Sequence, residues 1–171
     1  MDRTQFKALQ APLKDQYRNH PSLSKVTLSA NGTLEEGRMI CKVETGKKVV
    51  EAGLHQKTGG DGLAICSGDM LLEALVACAG VTLKAVATSM GLQIKDGTVK
   101  AEGDLDFAGT LGISKEIPVG FSEIRLSFEL STDENKEQLE TLLKLTERYC
   151  VVYQTLRGVP KLSSFFRVIG N

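Results

Sequence analysis

The stretch LLEALVACAGVTLKAVA, residues 71–87, decides how this chain folds. Its apolar residues recur at spacings of three and four, which predicts a buried helix. Cys78 lies in the middle and falls on the same helix face as Leu71, Leu75 and Thr82. We therefore expect the cysteine to face the core or a subunit interface, either as a small packing residue or as a functional thiol.

The loop before this helix, HQKTGGDGLAICSGD, is rich in glycine and small polar residues, as long functional connections often are. Ser67 is suited to cap the helix. Asp69 places a negative charge in the first turn, where it meets the positive end of the helix dipole. We expect the helix to run to about Met90, with Gly91 as its C-terminal stop.

The segments before the helix predict a small meander of three strands. Their sequences are SKVTLSA, RMICKVE and KKVVEAGL, joined by NGTLEEG and by the tight turn TG. Ahead of them, Phe6, Leu9 and Tyr17 follow helical spacing, and Pro12 is expected to break that helix or to open a second short one.

The segments after the helix predict two strands, a second long helix and a last strand. The strands span roughly 98–107 and 121–130, separated by the glycine-containing AGTLGISKEIPVG. The second helix is expected to begin with Ser131, Thr132 or Asp133 as its cap and to end near Arg157. Its apolar stripe places Cys150 on or beside the inward face. The last strand, KLSSFFRVI, follows Pro160.

The resulting order, βββ-α-ββ-α-β, predicts an α+β domain with two long central helices rather than a doubly wound sheet. Residues 1–20 are interpreted as a helical extension and residues 21–171 as a single domain. The composition agrees, because 171 residues with 42% hydrophobic and 25% charged side chains are typical of one globular domain.

Charge and hydropathy exclude several classes of function. Lys and Arg together number 21, as do Asp and Glu, so no global field attracts nucleic acid or an anionic membrane. The longest uncharged apolar run, residues 74–83, is far shorter than the roughly 20 residues of a membrane span. The first twenty residues lack the apolar segment of a secretory signal. We therefore expect a soluble, cytoplasmic protein that binds neither nucleic acid nor a membrane.

The four cysteines form no CxxC pair and do not cluster with His20 or His55, so neither a metal site nor a cofactor is predicted. A reactive Cys78 needs assistance, because an ordinary thiol with a pKa of about 8.5 is only a few per cent thiolate at neutral pH. Cys78 lies about nine residues beyond Asp69, where the helix dipole has faded. A cation from another element is therefore expected, and arginine suits best because it stays charged when buried.

Two segments, GGDGLAICSGDMLLEALVAC and TERYCVVYQTL, resemble the OsmC/Ohr family of hydroperoxide-linked proteins. The resemblance covers the element order from about residue 23 to the C-terminus. It implies an OsmC-like, intertwined homodimer in which each six-stranded sheet mixes strands from both subunits. The cysteine helices then pack centrally, and the active sites lie at the interface.

The resemblance also implies a set of roles. Cys78 is the peroxidatic residue that attacks an organic hydroperoxide and becomes a sulfenic acid. Cys150 is the resolving residue that forms the disulfide, and a dithiol reductant, often a lipoyl group, reopens it. Arg38 stabilises the thiolate and the peroxide, and Asp69 orients this arginine.

The identity of the cation stays open. Lys42 or an arginine from another element is an alternative to Arg38, and Arg148 beside Cys150 is one such candidate, although its neighbour Glu147 favours a solvated role. Glu73 projects away from Cys78 on the helix and is interpreted as a surface or interface carboxylate.

Three departures from the family pattern weigh against the transfer of this activity, and those at Gly68 and Val151 motivate an alternative function. Gly68-Asp69 stands where the family has Pro-Glu, Val151 stands where peroxidase members commonly have proline, and Cys66 is an additional thiol that can compete as resolving partner. The alternative is a non-catalytic dimer that binds a small apolar or thiol-containing ligand and whose cysteines are structural.

Overall fold

The described residues form two sheets and five α-helices, an α+β architecture that confirms the predicted fold class. The computed structural model describes residues 1–168. In chain order the elements are α1 (Arg3–Asn19), β1 (Gly32–Leu34), β2 (Ile40–Glu44), β3 (Val49–Gly53), β4 (Ile65–Cys66), α2 (Ser67–Met90), β5 (Ile94–Leu105), α3 (Phe107–Thr110), β6 (Phe121–Thr132), α4 (Lys136–Tyr149) and α5 (Val151–Arg157).

The central helix α2 has the predicted end but a different start. It ends at Met90, and Gly91 adopts the left-handed conformation with φ of 81°. Asp69 lies in the first turn as predicted. Ser67 is not the cap: it already belongs to the helix, so its hydroxyl is one position too late, and Cys66 occupies the cap position without a side-chain hydrogen bond.

Helix α2 packs on the hairpin of β5 and β6 and on α4. Its buried side chains recur at helical spacing: Leu75, Ala79, Leu83, Val86 and Ala87. By length and composition α2 would suffice to cross a membrane, yet it packs as the central helix of the domain. Only 22% of its most apolar window is buried, so much of its apolar surface stays open.

The hairpin of β5 and β6 supplies the floor under α2. The two strands pair antiparallel over twelve residues each, longer than predicted. Their inward residues are apolar, whereas the outer face carries ion pairs such as Asp104 with Arg125. The connection, predicted to lack regular structure, begins with the one-turn helix α3, capped by Asp106 through the N–H of Ala108 at 2.8 Å.

The second long helix differs from the prediction at both ends. Residues 131–132 belong to β6, so the cap is Asn135, whose side chain accepts from the Gln138 N–H at 2.9 Å while the Gln138 side chain accepts from the Asn135 N–H at 3.1 Å. The helix also does not run unbroken to Arg157. It stops at Tyr149 and restarts at Val151 as α5, because Cys150 adopts an extended backbone with φ of −74° and ψ of 112°.

The first sheet is formed by β1, β2, β3 and β4 in that order, with antiparallel pairs except for the parallel pair of β3 and β4. The predicted strands RMICKVE and KKVVEAGL are confirmed as β2 and β3. The prediction for SKVTLSA is wrong: within the described chain residues 25–31 form no strand, and β1 lies in the segment predicted as a loop. The partner strand of β2 therefore begins only at Gly32.

The two ends of the chain also differ from expectation. Helix α1 continues through Pro12, although Pro12 cannot donate to the preceding turn, and a capping box of Asp2 and Gln5 closes its start. Residues 161–168 of the predicted last strand form no strand within the described chain, and they are exposed. Ile169, the final residue of that prediction, lies outside the described residues.

Candidate active site

Cys78 lies midway along α2, half-buried, at the edge of a small apolar cluster. Leu75, Ala79 and Cys150 form the buried part of this cluster, which we call the thiol cluster. It is closed by partly buried side chains of the two strands and of α5, namely Val99, Ala101, Ile124, Leu126, Phe128, Val152 and Tyr153. The structure thus brings together the two cysteines that were predicted to face inward.

Cys150 occupies the break between α4 and α5 and is only 1% exposed. Its backbone N–H still donates to the carbonyl oxygen of Thr146 at 2.9 Å, so α4 is complete up to this point. Its Sγ accepts from the N–H of Tyr153 at 3.5 Å, which caps α5 in the way a serine would. The cysteine side chain therefore stabilises the break at which it lies.

The break places the start of α5 beside Cys78. Val151 and Val152 are its first residues, and Val152 packs against the thiol cluster. Burial by itself raises the pKa of Cys78, but hydrogen bonding from the main chain of Val152 and Val151 outweighs it together with the Cys150 thiol and the Thr82 hydroxyl. The pKa of Cys78 therefore lies below that of an ordinary thiol.

Cys150 behaves in the opposite way. Burial raises the pKa of Cys150, the N–H of Tyr153 works in the other direction, and the adjacent Cys78 raises the pKa again. The pKa values of the two neighbouring thiols thus shift in opposite directions. Cys78 is therefore the more acidic of the two thiols, and Cys150 is the less acidic.

Arg38 lies in the loop between β1 and β2, on the first sheet. Its guanidinium pairs with Glu35 at 3.3 Å and with Glu51 at 3.2 Å, and Lys42 pairs with Glu35 at 3.0 Å. The hydrogen bond to Glu51 raises the pKa of Arg38 further, so it is a permanent cation. Asp69 is exposed, and within the described chain no ion pair joins it to Arg38. The roles assigned to these two residues stay predictions.

The other polar candidates lie away from the thiol cluster or on the surface. His55 stacks on Phe107 at 4.7 Å between ring centroids, and its Nδ1 accepts from the N–H of Lys57, so it fastens the loop before α2. The exposed Arg148 guanidinium lies over the ring of Tyr149 at 5.5 Å. Within residues 1–168, no group of three or more His, Cys, Asp or Glu side chains is assembled to hold a metal ion.

Sequence reasoning missed the donors nearest to the thiol. It expected a cation, whereas in the described chain the pKa of Cys78 is lowered by hydrogen bonding from neighbouring N–H, S–H and O–H groups. Thr82, four residues after Cys78, was predicted to lie on the same helix face, but no role was assigned to it. The N–H groups of Val151 and Val152 gave no signal, because the run Cys-Val-Val-Tyr contains neither the proline nor the glycine that usually marks a helix break.

The fold and the site define an α+β protein with a central-helix thiol and a second thiol at a helix break. Residues 59–164 match the sequence profile of the family described as OsmC-like protein. This match covers more than half of the chain, so the chain belongs to the OsmC-like family. No functionally curated protein matches the chain in sequence.

Solved structures share this fold at low sequence identity. An OsmC-like protein from Mycoplasma pneumoniae is 18% identical with a TM-score of 0.64, and the alignment covers 79% of this chain and 90% of that one. An organic hydroperoxide resistance protein from Legionella pneumophila is 18% identical with a TM-score of 0.61, covering 78% and 93%. An organic hydroperoxide resistance protein from Elizabethkingia anophelis, with thiocyanate bound, is 18% identical with a TM-score of 0.63, covering 79% and 92%.

Proposed function

We propose that the protein is a thiol-dependent peroxidase that reduces organic hydroperoxides through Cys78 and Cys150. The observation that carries this proposal is that Cys78 of α2 packs against the buried Cys150 in one apolar cluster. The pKa shifts, lowered at Cys78 and raised at Cys150, agree with it, because the thiol that attacks the peroxide has to be a thiolate. Family membership and relatives named organic hydroperoxide resistance proteins support the same chemistry.

The proposed peroxidase reaction begins with Cys78 as a thiolate and Cys150 as a thiol. The Cys78 thiolate attacks the terminal peroxide oxygen; an S–O bond forms, the O–O bond breaks, and the alkoxide takes a proton from Cys150 or water. Cys78 is then a sulfenic acid. The Cys150 sulfur attacks it, an S–S bond forms and the S–O bond breaks, and the leaving hydroxide takes a proton from the thiol or the solvent and departs as water. A dithiol, lipoyl or similar, supplies two electrons and two protons and restores both thiols, so that one hydroperoxide yields one alcohol and one water.

The surroundings of Cys78 favour organic over hydrogen peroxide. The side chains that close the thiol cluster are apolar apart from the Tyr153 hydroxyl, so an alkyl or aryl group gains contact there that hydrogen peroxide cannot. We expect cumene hydroperoxide to react faster than hydrogen peroxide. Because all four cysteines are free thiols, we propose a reducing compartment such as the cytoplasm.

We further propose that the working unit is a homodimer. The chain exposes 13553 Å², against about 8,200 Å² for a compact monomer of 18.5 kDa. The excess is apolar in large part: Leu28, Leu34 and Phe165 are 84%, 82% and 97% exposed. Uncovered apolar surface of this extent marks a protein interface. In such a dimer Arg38 and Asp69 are the residues that we propose to complete the site at Cys78.

The test is a single turnover. Reduced protein is mixed with one equivalent of cumene hydroperoxide, and peroxide loss, intact mass and the Cys78–Cys150 disulfide peptide are measured. Wild type is expected to consume the peroxide and lose two hydrogens in mass. Cys150→Ser is expected to stop at the sulfenic acid, and Cys78→Ser to be inert. Cys41→Ser is the matched control, because Cys41 is also a half-buried free thiol but lies on β2.

Two results would contradict the proposal. The first is absence of peroxide consumption together with an unoxidised Cys78. The second is a disulfide that joins Cys66, rather than Cys150, to Cys78, which would reassign the resolving residue. If apolar thiols raise the melting temperature of wild type in the absence of any peroxidase activity, and Cys78→Ser abolishes that shift, the non-catalytic binding dimer is the better description.

A further inference from the structure

We propose that Glu51 of β3 is the carboxylate that positions Arg38, the cation of the proposed site. The family resemblance implies that Asp69 orients this arginine, whereas in the described chain the ion-pair partners of Arg38 are Glu51 and Glu35. The catalytic consequence of this contact rests on the proposed peroxidase function. The contact itself does not, because it belongs to the resting protein.

Both terminal nitrogens of the Arg38 guanidinium contact carboxylates. Nη2 lies 3.2 Å from Oε2 of Glu51, and Nη1 lies 3.3 Å from Oε2 of Glu35. Lys42 contacts the same two carboxylates, at 3.9 Å and 3.0 Å respectively. Because the guanidinium is planar, contacts at both nitrogens fix its orientation as well as its position. A network of two cations and two carboxylates holds its side chains more firmly than an isolated exposed ion pair does.

Glu51 is the member of this network that ties Arg38 to the sheet. Arg38 and Glu35 lie three residues apart in the connection between β1 and β2, so their contact moves with that connection. Glu51 instead lies inside β3, directly opposite Lys42 in the pairing with β2. Strand β3 has a neighbour on each side, β2 and β4, which fixes the place of Glu51 in the sheet. Among the described residues, Glu51 is thus the ion-pair partner of Arg38 that lies outside its own loop.

The same strand connects Arg38 to the helix of Cys78. Strand β3 pairs in parallel with β4, and β4 runs without a break into α2. Glu51 is therefore linked through two paired strands to the start of the helix that carries the thiol. Asp69 lies nearer to Cys78 in sequence, but its side chain is exposed, and among the described residues no ion pair joins it to Arg38.

The test compares Glu51→Gln, which removes the charge at nearly constant shape, with Glu44→Gln, the matched control. Glu44 is an exposed carboxylate of the neighbouring strand β2 and is no ion-pair partner of Arg38. Modification of Arg38 by phenylglyoxal is followed by peptide mass spectrometry on the reduced, full-length protein. Arg125, paired with Asp104 on the other sheet, is the internal reference. We expect the rate at Arg38 to rise about 2- to 5-fold in Glu51→Gln, the effect of one exposed ion pair, and to stay at the wild-type value in Glu44→Gln.

A second measurement separates positioning of Arg38 from a purely structural role of Glu51. Glu51→Gln should slow the oxidation of Cys78 by cumene hydroperoxide roughly 10-fold, less than the loss of the arginine itself. In the Arg38→Ala background it should have no further effect, because a residue that acts through Arg38 loses its influence when Arg38 is absent. An equal slowing in both backgrounds would overturn the positioning role.

Equal phenylglyoxal rates at Arg38 in wild type and in a folded Glu51→Gln would overturn the proposal, and so would a rate that rises in Asp69→Asn instead. If Glu51→Gln does not fold, Glu51→Asp decides, since it keeps the charge beside Lys42 but withdraws the carboxylate from Arg38 by one methylene. An unchanged rate there would overturn the proposal too. The phenylglyoxal assay needs no peroxide. A faster rate in Glu51→Gln without peroxide turnover by wild type would therefore refute the proposed function and leave this inference standing, and peroxide turnover with an unchanged Arg38 rate would do the opposite.

Discussion

Two regions of this chain bury their surfaces to very different degrees. All the buried apolar side chains of the described residues lie between Leu75 and Cys150, in α2, in α4 and in the turns beside them, and β5 and β6 add partly buried apolar side chains to the same clusters. We call this region the packed half. The sheet of β1 to β4 and the tail 159–168, which we call the open half, contribute none of them.

This difference separates the two parts of the proposed chemistry. The thiol pair belongs to the packed half, where one chain suffices to set the pKa of Cys78 and of Cys150. Arg38 belongs to the open half, where its carboxylate partners are Glu35 and Glu51. A single chain thus brings the two thiols together, and Arg38 is not a member of their cluster. We expect substitutions in the two halves to depend differently on protein concentration.

The largest effect is expected from Leu75→Ala. Leu75 is 1% exposed beside both cysteines, so its truncation leaves a cavity and should lower the free energy of unfolding by about 2–5 kcal/mol. Leu34→Ala, on the open half, is the comparison. If the Leu34 side chain is uncovered, its truncation should lower the free energy of unfolding by no more than about 0.5 kcal/mol. A larger loss would mean that a second copy of the chain covers it. Urea denaturation at several protein concentrations measures both, and a negligible cost at Leu75 would contradict the packed core.

The next effect concerns the cation. Arg38→Ala is expected to slow the oxidation of Cys78 by cumene hydroperoxide about 100-fold, since removal of one electrostatic donor from a reacting centre typically has this size. Lys42→Ala is the matched control, because Lys42 shares Glu35 and Glu51 with Arg38. Stopped-flow rates for both variants decide between the two cations that the sequence left open. If Lys42→Ala slowed the oxidation of Cys78 and Arg38→Ala did not, Lys42 rather than Arg38 would be the cation of the site.

Local rules in the sequence were sufficient for the packed half. The periodicity of α2 and the stop at Gly91 depend on neighbouring residues and were predicted correctly, and β5 and β6 were predicted as strands with different bounds. The inward position of Cys78 and Cys150 followed from the same periodicity. The choice of the cap of α4 failed, because Ser131, Thr132, Asp133 and Asn135 are all capable caps and the length of β6 decides which one is used.

The structure of the open half could not be predicted from neighbouring residues alone. SKVTLSA and KLSSFFRVI have strand composition, yet within the described chain neither forms a strand, because a strand requires a neighbour that a single chain does not supply here. The break at Cys150 is a tertiary feature too. It is stabilised by the Tyr153 N–H on the Cys150 sulfur and by contact with α2, neither of which has a sequence signature.

A smaller effect is expected at the tail. Phe165→Asp places a charge on a side chain that is nearly fully exposed in one chain and that we propose to be covered in the dimer. We expect the dissociation constant of the dimer to rise at least about 30-fold, the size typical of a central interface residue. Ser163→Asp adds the same charge two residues away and is the control. Sedimentation equilibrium distinguishes them, and an unchanged constant for Phe165→Asp would show that the tail lies outside the interface.

The smallest effect is expected at the cap of α4, where Asn135→Ala should cost about 1 kcal/mol of unfolding free energy. The adjacent candidate, Ser131→Ala, should change stability by no more than about 0.5 kcal/mol, since Ser131 is an exposed strand residue. Urea denaturation measures both. Because α4 belongs to the packed half, the loss at Asn135 should be equal at all protein concentrations. If it instead grew on dilution, α4 would depend on the partner chain, and the division of the molecule into a self-sufficient half and an open half would fail at its second long helix.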